Sequence, residues 1–254
     1  MGAGHRGTAG LHTHGRSVVH RLAPEAKVVA TLAFVAVVVA TPWRLRGLHL
    51  LQAALVLAAA GAAGLRPGFL LRALRFELPF VAFAVLLPLV GEPPRTEVLG
   101  VPLSEAGLVA AGTILAKSVL GFLASLVLVA TTPVAALLAG LERLRAPRVI
   151  VAIAAFMVRY LEVLLDEADR ARVARLSRGG DPRWLWQARA VAAGAGTLFV
   201  RSYERGERVH LAMLARGYDG SMPALHAGST AGVGPWVAAL AVPALAALAL
   251  AVAW

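Results

Sequence analysis

Residues 106–130 read AGLVAAGTILAKSVLGFLASLVLVA, 25 residues interrupted by one charge, Lys117. A helix needs about 20 predominantly apolar residues to cross roughly 30 Å of hydrocarbon, so this stretch is long enough to span a bilayer. Working outward, further hydrophobic segments occupy 28–43, 47–65, 69–90 and 235–254. The 69–90 segment carries Arg72, Arg75 and Glu77, and its apolar part alone is short for a span. With 59% of its 254 residues hydrophobic, the chain holds more apolar surface than one soluble core of this length needs. The pattern predicts an all-α, polytopic membrane protein with about five transmembrane helices, solvated by the lipid bilayer, and argues against a soluble all-α enzyme.

The formal charge of +11 raises the possibility of nucleic acid. The basic residues lie between hydrophobic segments, however, and are better explained as cytoplasmic flanks of membrane helices, so no nucleic-acid partner is expected. The absence of cysteine excludes thiol catalysis, disulfides, iron–sulfur ligation and cysteine-based zinc sites. Residues 91–105 set Arg95 against Glu92, Glu97 and Glu105, a net charge of −2, and read as external. Residues 142–219 hold 14 arginines and nine acidic residues, a net of +5, and with the basic tract 66–75 they read as cytoplasmic, as does the N-terminus. Arg44 and Arg46, in the turn after the first helix, weakly oppose this assignment.

Four regions follow: an N-terminal cytoplasmic tail over 1–27, a membrane domain of about four spans over 28–130, a cytoplasmic helical region over 131–219, and a linker with a last transmembrane helix over 220–254. Basic residues before a short apolar run also describe a signal peptide, but the later hydrophobic segments favour a retained first helix. The cytoplasmic tract is charged yet helically periodic. Leu161, Leu164, Leu165, Ala168 and Ala171 recur on one face, with Glu162, Asp166, Asp169, Arg170 and Arg172 on the other. Asp166 and Arg170 form an i, i+4 pair, acid first. A second helix is expected to begin at Asp181-Pro182, with Asp as N-cap and Pro at the first helical position. Along it Phe199, Tyr203, Gly206, His210, Met213 and Leu214 line one side, and Glu204 pairs with Arg208 opposite.

Two short stretches of this tract resemble each other: LSRGGD at 176–181 and LARGYD at 214–219. Each falls where an amphipathic helix should end. Glycine supplies the left-handed conformation of a C-terminal cap, and arginine in the last turn complements the helix dipole. Two ordinary caps are therefore one reading of Ser177-Arg178-Gly179 and Ala215-Arg216-Gly217. The other is that each arginine, projecting beyond a helix end, offers a planar fork of donors to a carboxylate on a partner. Two such tips suit two copies of a partner related by a rotation axis, for which ATPase subunits that dimerise around ATP are natural candidates.

The chain resembles the transmembrane T component of energy-coupling factor transporters, in particular the cobalt and nickel branch, CbiQ. The resemblance rests on Arg21, Pro24 and Lys27 before the first span, on Arg159-Tyr160-Leu161 with Asp166-Glu167, and on the run 198–205, LFVRSYER, leading to 212–220, AMLARGYDG. The family is marked by two Ala-Arg-Gly motifs at the ends of coupling helices; here the first reads Ser177-Arg178-Gly179, which shifts weight from the leading small residue to the arginine. The resemblance implies a multi-pass protein of the bacterial cytoplasmic membrane. It would transmit the conformational change of two ATP-binding cassette subunits to a substrate-capturing S component, in uptake of cobalt or, alternatively, of nickel or a vitamin. Ser177, Arg178, Gly179, Ala215, Arg216 and Gly217 would meet the ATPases. ATP would be bound by those partners, since this chain has no Gly-x4-Gly-Lys-Ser/Thr phosphate loop; no cofactor and no enzymatic activity are expected of it.

Lys117 is the intramembrane candidate. It either faces a partner or polar pocket, or fixes helix packing through a backbone carbonyl or Glu77. Glu77 is expected near an interface, where a solvated carboxylate costs little. His12-Thr13-His14, within a tail that also holds His5 and His20, offers a chelating pattern, but a polar tail is the commoner explanation and no metal site is assigned. His210 reads as a residue of a helix face. An intramembrane hydrolase or transferase would need convergent acid, base or metal-binding groups at membrane depth, and Lys117 has no such company. A passive scaffold differs from a coupling subunit in whether Arg178 and Arg216 respond to a partner's nucleotide state.

Overall fold

The computed structural model describes residues 17–98, 101–179, 188–218 and 232–253. The chain divides into two compact units, Met1–Gly140 with Gly228–Trp254, and Leu141–Ala227. In the first, a short helix α1 (Val18–Arg21) precedes α2 (Pro24–Ala40), which opens with Pro24 in the first turn, where a missing N–H costs nothing. A 3-10 turn at Trp43–Leu45 leads to α3 (Arg46–Ala62). Among the described residues four continuous stretches are long and apolar enough to cross a membrane: Trp43–Ala62, Pro67–Val90, Glu105–Thr131 and Val233–Ala253. The fifth expected span, α2, is not among them: its 17 residues reach about 25 Å, short of roughly 30 Å of hydrocarbon.

The charges Arg72, Arg75 and Glu77 coincide with an interruption. α4 (Pro67–Ala73) gives way to a 3-10 turn over Leu74–Glu77 and then to α5 (Leu78–Val90). This corrects the expectation for Glu77, which is 6% exposed and leaves Oε2 without a hydrogen-bond partner. The tight turn directs its side chain inward while its neighbours Phe76 and Leu78 face out. The acidic stretch 91–105, read as a loop, contains an antiparallel hairpin of β1 (Arg95–Val98) and β2 (Val101–Ser104), with Arg95 opposite Ser104 and Thr96 opposite Leu103. Ser104 then caps α6 (Glu105–Thr131): its hydroxyl accepts from the Gly107 N–H and donates to the Glu92 carbonyl.

The core of this unit is built from Phe34 and Val38 of α2, Val56 and Ala60 of α3, Leu120, Leu123, Val127 and Ala130 of α6, and Ala246 of α10 (Val233–Ala253). Small residues set the closest approaches. A Cβ on Gly107 would lie 2.5 Å from the Leu87 carbonyl oxygen of α5, and one on Gly112 would lie 2.5 Å from the Trp43 ring. Close backbone approach through small residues is the usual means by which membrane helices pack, because lipid removes the hydrophobic drive to associate. α7 (Val134–Arg143) follows α6 across Pro133.

The second unit holds α8 (Arg148–Ser177) and α9 (Ala188–Ala215). Arg175 approaches Gly194, and Glu167 pairs with both Arg201 and Arg205, so the two helices run antiparallel. The start of the second amphipathic helix expected at Asp181-Pro182 lies outside the described residues.

Candidate partner-binding site

The two arginine tips share one backbone geometry. At the end of α8, Arg178 is the C-cap, Gly179 follows with φ +82°, and its N–H bonds the Leu176 carbonyl at 3.1 Å. At the end of α9, Gly217 has φ +83°, its N–H bonds the Leu214 carbonyl at 3.0 Å, and the Tyr218 N–H reaches back to Met213 at 3.0 Å. The second is a complete Schellman motif, and the first shows the same inner bond. Glycine fits because a side chain at positive φ is strained, although both positions have open space. The chain therefore holds each arginine at the last step before the backbone turns away. Ser177, Arg178, Gly179, Ala215, Arg216 and Gly217 are all exposed. The antiparallel course of α8 and α9 puts Arg178 and Arg216 at opposite ends of the pair.

Between the helices beside the first tip runs an open groove of about 840 Å³. Arg175, Arg178, Arg189 and Arg201 line it, with Glu167 the acidic member. Sequence periodicity alone did not pick out the contact that sets this pairing. The Glu167 carboxylate, 15% exposed at its side chain, takes Arg201 and Arg205 at 3.4 Å each. That draws Arg205 toward α8, on the side of α9 shared by Leu198, Ser202, Val209 and Met213. The stripe expected from periodicity is rotated accordingly: Phe199 is 72% and Tyr203 67% exposed, and Leu214 also faces out. The Glu204–Arg208 pair forms as expected, at 3.8 Å. Asp166 with Arg170 is not among the ion pairs of the described residues.

Lys117 donates to the Val39 carbonyl at 2.7 Å, in the last turn of α2, rather than to Glu77. Near it lies a buried polar set. Gln52 donates to Thr41 at 2.9 Å, and His49 lies 6.1 Å from the Trp43 ring with neither ring nitrogen hydrogen-bonded. His5, His12 and His14 lie outside the described residues. His20 shares a 2.8 Å hydrogen bond with Ser17, and His210 is exposed on α9. Among the described residues no group of three or more His, Asp or Glu side chains converges to hold a metal ion.

Comparison with known proteins bears on the whole chain. The model of the CbiQ family, described as cobalt transport protein, matches residues 15–225. The energy-coupling factor transporter transmembrane protein EcfT of Lactococcus lactis subsp. cremoris is 26% identical over 226 residues, covering 83% of this chain and 84% of that one. The cobalt transport protein CbiQ of Rhodobacter capsulatus is 36% identical over 101 residues, 39% of this chain and 40% of that one. A fused cobalt transport protein CbiMQ of Methanocorpusculum labreanum is 30% identical over 112 residues, 44% of this chain and 19% of its own length. The chain thus spans about a fifth of the fused relative, well under two thirds of the CbiQ relative, and most of EcfT.

Proposed function

The chain belongs to the CbiQ cobalt transport family of energy-coupling factor T components, and we propose that it is the energy-coupling subunit of an ATP-driven cobalt importer. As a multi-pass protein of a bacterial membrane it takes up the conformational change of two ATP-binding cassette subunits and passes it to a substrate-capturing S component. ATP is bound by those partners. This chain is a transporter subunit and carries no chemistry of its own.

The observation that supports this reading is the pair of matched tips. Two exposed arginines at identical cap positions, facing opposite ends of an antiparallel helix pair, suit two equivalent acidic grooves on a dimer. A cap alone needs no arginine; glycine and the backbone already satisfy the terminal carbonyls. The choice of cobalt rests on the family and on the names of the relatives that match only in part.

The test is copurification and cobalt uptake for Arg178→Ala, Arg216→Ala and the double variant, coexpressed with cognate ATPase and S-component subunits. As mere caps the arginines contribute a few tenths of a kcal/mol each, about the value of a cation near an exposed helix end. As buried, charge-assisted contacts each truncation costs roughly 2–5 kcal/mol of binding. The single variants are expected to assemble and transport poorly, lysine to rescue only in part because a point charge cannot reproduce a forked contact, and the double variant to lose both assembly and uptake. Wild-type behaviour of the double variant overturns the reading.

A further inference from the structure

Lys27 is 6% exposed in the first turn of α2, yet all its hydrogen-bond acceptors are uncharged oxygens. Its three N–H donors go at 3.2 Å to the His20 carbonyl, the Thr131 carbonyl and the Thr132 hydroxyl. His20 lies in the last turn of α1, Thr131 is the last residue of α6 and Thr132 is its C-cap. One buried ammonium therefore meets the negative ends of two helices at once, where terminal carbonyls have no intrahelical partner. Thr131 and Thr132 are themselves buried, at 2% each.

A second contact lies nine residues on. Gly140, in the last turns of α7, sits on the same first turn of α2: a Cβ there would lie 3.0 Å from the Glu25 nitrogen and 3.1 Å from the Pro24 Cβ. The segment between the two contacts, Pro133 and α7, is the one by which the chain passes from the membrane unit to the helical arm beginning at Leu141. We propose that Pro24–Lys27 is a clamp holding both ends of this connecting segment, so that force arriving along the arm is delivered to α2. Lys27 and Gly140 are then positioning residues for coupling. They touch neither ATP nor substrate, and their use in transport rests on the function proposed above.

The experiment has two arms on the full chain. In lipid nanodiscs, Lys27→Met is expected to speed amide hydrogen exchange over residues 134–140 at least tenfold and leave α10 unchanged; Thr132→Val, which removes one acceptor and keeps the lysine, is expected to give about threefold. Unchanged exchange in both overturns the clamp. In proteoliposomes with the ATPases and S component, Lys27→Met is expected to keep assembly and ATP hydrolysis but to lower cobalt taken up per ATP hydrolysed at least tenfold.

Because the chain lacks cysteine, Pro24→Cys with Gly140→Cys supplies the rescue. Their Cβ separation is within a few tenths of an ångström of the disulfide range of about 3.5–4.5 Å. In the Lys27→Met background, oxidation is expected to restore slow exchange and uptake per ATP, and reduction to abolish both. Failure of the pair to cross-link, or cross-linking without recovery of uptake, overturns the clamp as a coupling device. If the unmodified assembly shows no ATP-driven uptake, the proposed function falls, while the exchange arm still decides whether the clamp exists.

Discussion

Among the described residues four helices close on a residue with positive φ: α3 at Gly64, α7 at Arg145, α8 at Gly179 and α9 at Gly217. Three are glycine, as a left-handed C-cap prefers. Arg145, at φ +62°, holds the same place in a full Schellman pattern: its N–H bonds Glu142 and the Ala146 N–H bonds Leu141, each at 3.0 Å. A side chain in this conformation costs roughly 1–2 kcal/mol. Arg145→Gly is therefore expected to raise stability by up to about 1 kcal/mol, the extra unfolded-state freedom of glycine offsetting part of the gain; thermal unfolding in mild detergent measures it. The sequence announces the caps at 179 and 217 because arginine precedes glycine at both. The cap at 145 has no glycine to announce it, so only the backbone reveals it.

Among the elements, two of the three glycines of α6 have opposite surroundings. Gly107 faces the backbone of Leu87 and Pro88, where a Cβ would lie 2.5–2.9 Å from carbonyl and Cα atoms, whereas Gly121 has nothing within 4 Å. Backbone cannot rotate aside as a long side chain can. Gly107→Ala is expected to part α5 from α6 and destabilise by about 1–3 kcal/mol, as overpacking of a well-packed contact does. Gly121→Ala is expected to be neutral or to stabilise by up to about 1 kcal/mol through helix propensity. The thermal midpoints of the two variants, measured side by side, decide it. Apolar length alone made the spans legible, and charge placement marked the break after Ala73, because lipid admits little else than apolar helix. The rotation of α9 was not legible. It depends on Glu167 choosing Arg201 and Arg205 over nearer partners, a long-range pairing that periodicity does not encode. The direction of Glu77 escaped for a similar reason, since a single 3-10 turn reverses which face a residue occupies.

At the scale of the whole molecule, charge sets the orientation in the membrane. The acidic hairpin region between α5 and α6 has a net charge of −2, and the tract from 142 to 219 a net of +5. Positively charged loops are retained on the cytoplasmic side of inserted helices, so the hairpin should face outward and α8 and α9 inward. The count of crossings agrees. With the N-terminus inside and α2 taken as a crossing, α2, α3 and the α4–α5 stretch make three passages, which bring the chain out at Arg95–Ser104; α6 is then the fourth and returns it before α8. If α2, at 17 residues, failed to cross, the hairpin would share a side with the N-terminus, and the charge asymmetry would point the wrong way for one of them. A chain without cysteine makes the test direct: Thr96→Cys on β1 and Asp169→Cys on α8 each place one thiol at an exposed position. A membrane-impermeant maleimide applied to intact cells is expected to label Thr96→Cys and to reach Asp169→Cys only after permeabilisation. The reverse pattern inverts the topology and removes the arm from the compartment where ATP is available, and labelling of both in intact cells means that α6, the span between the two probes, does not separate them.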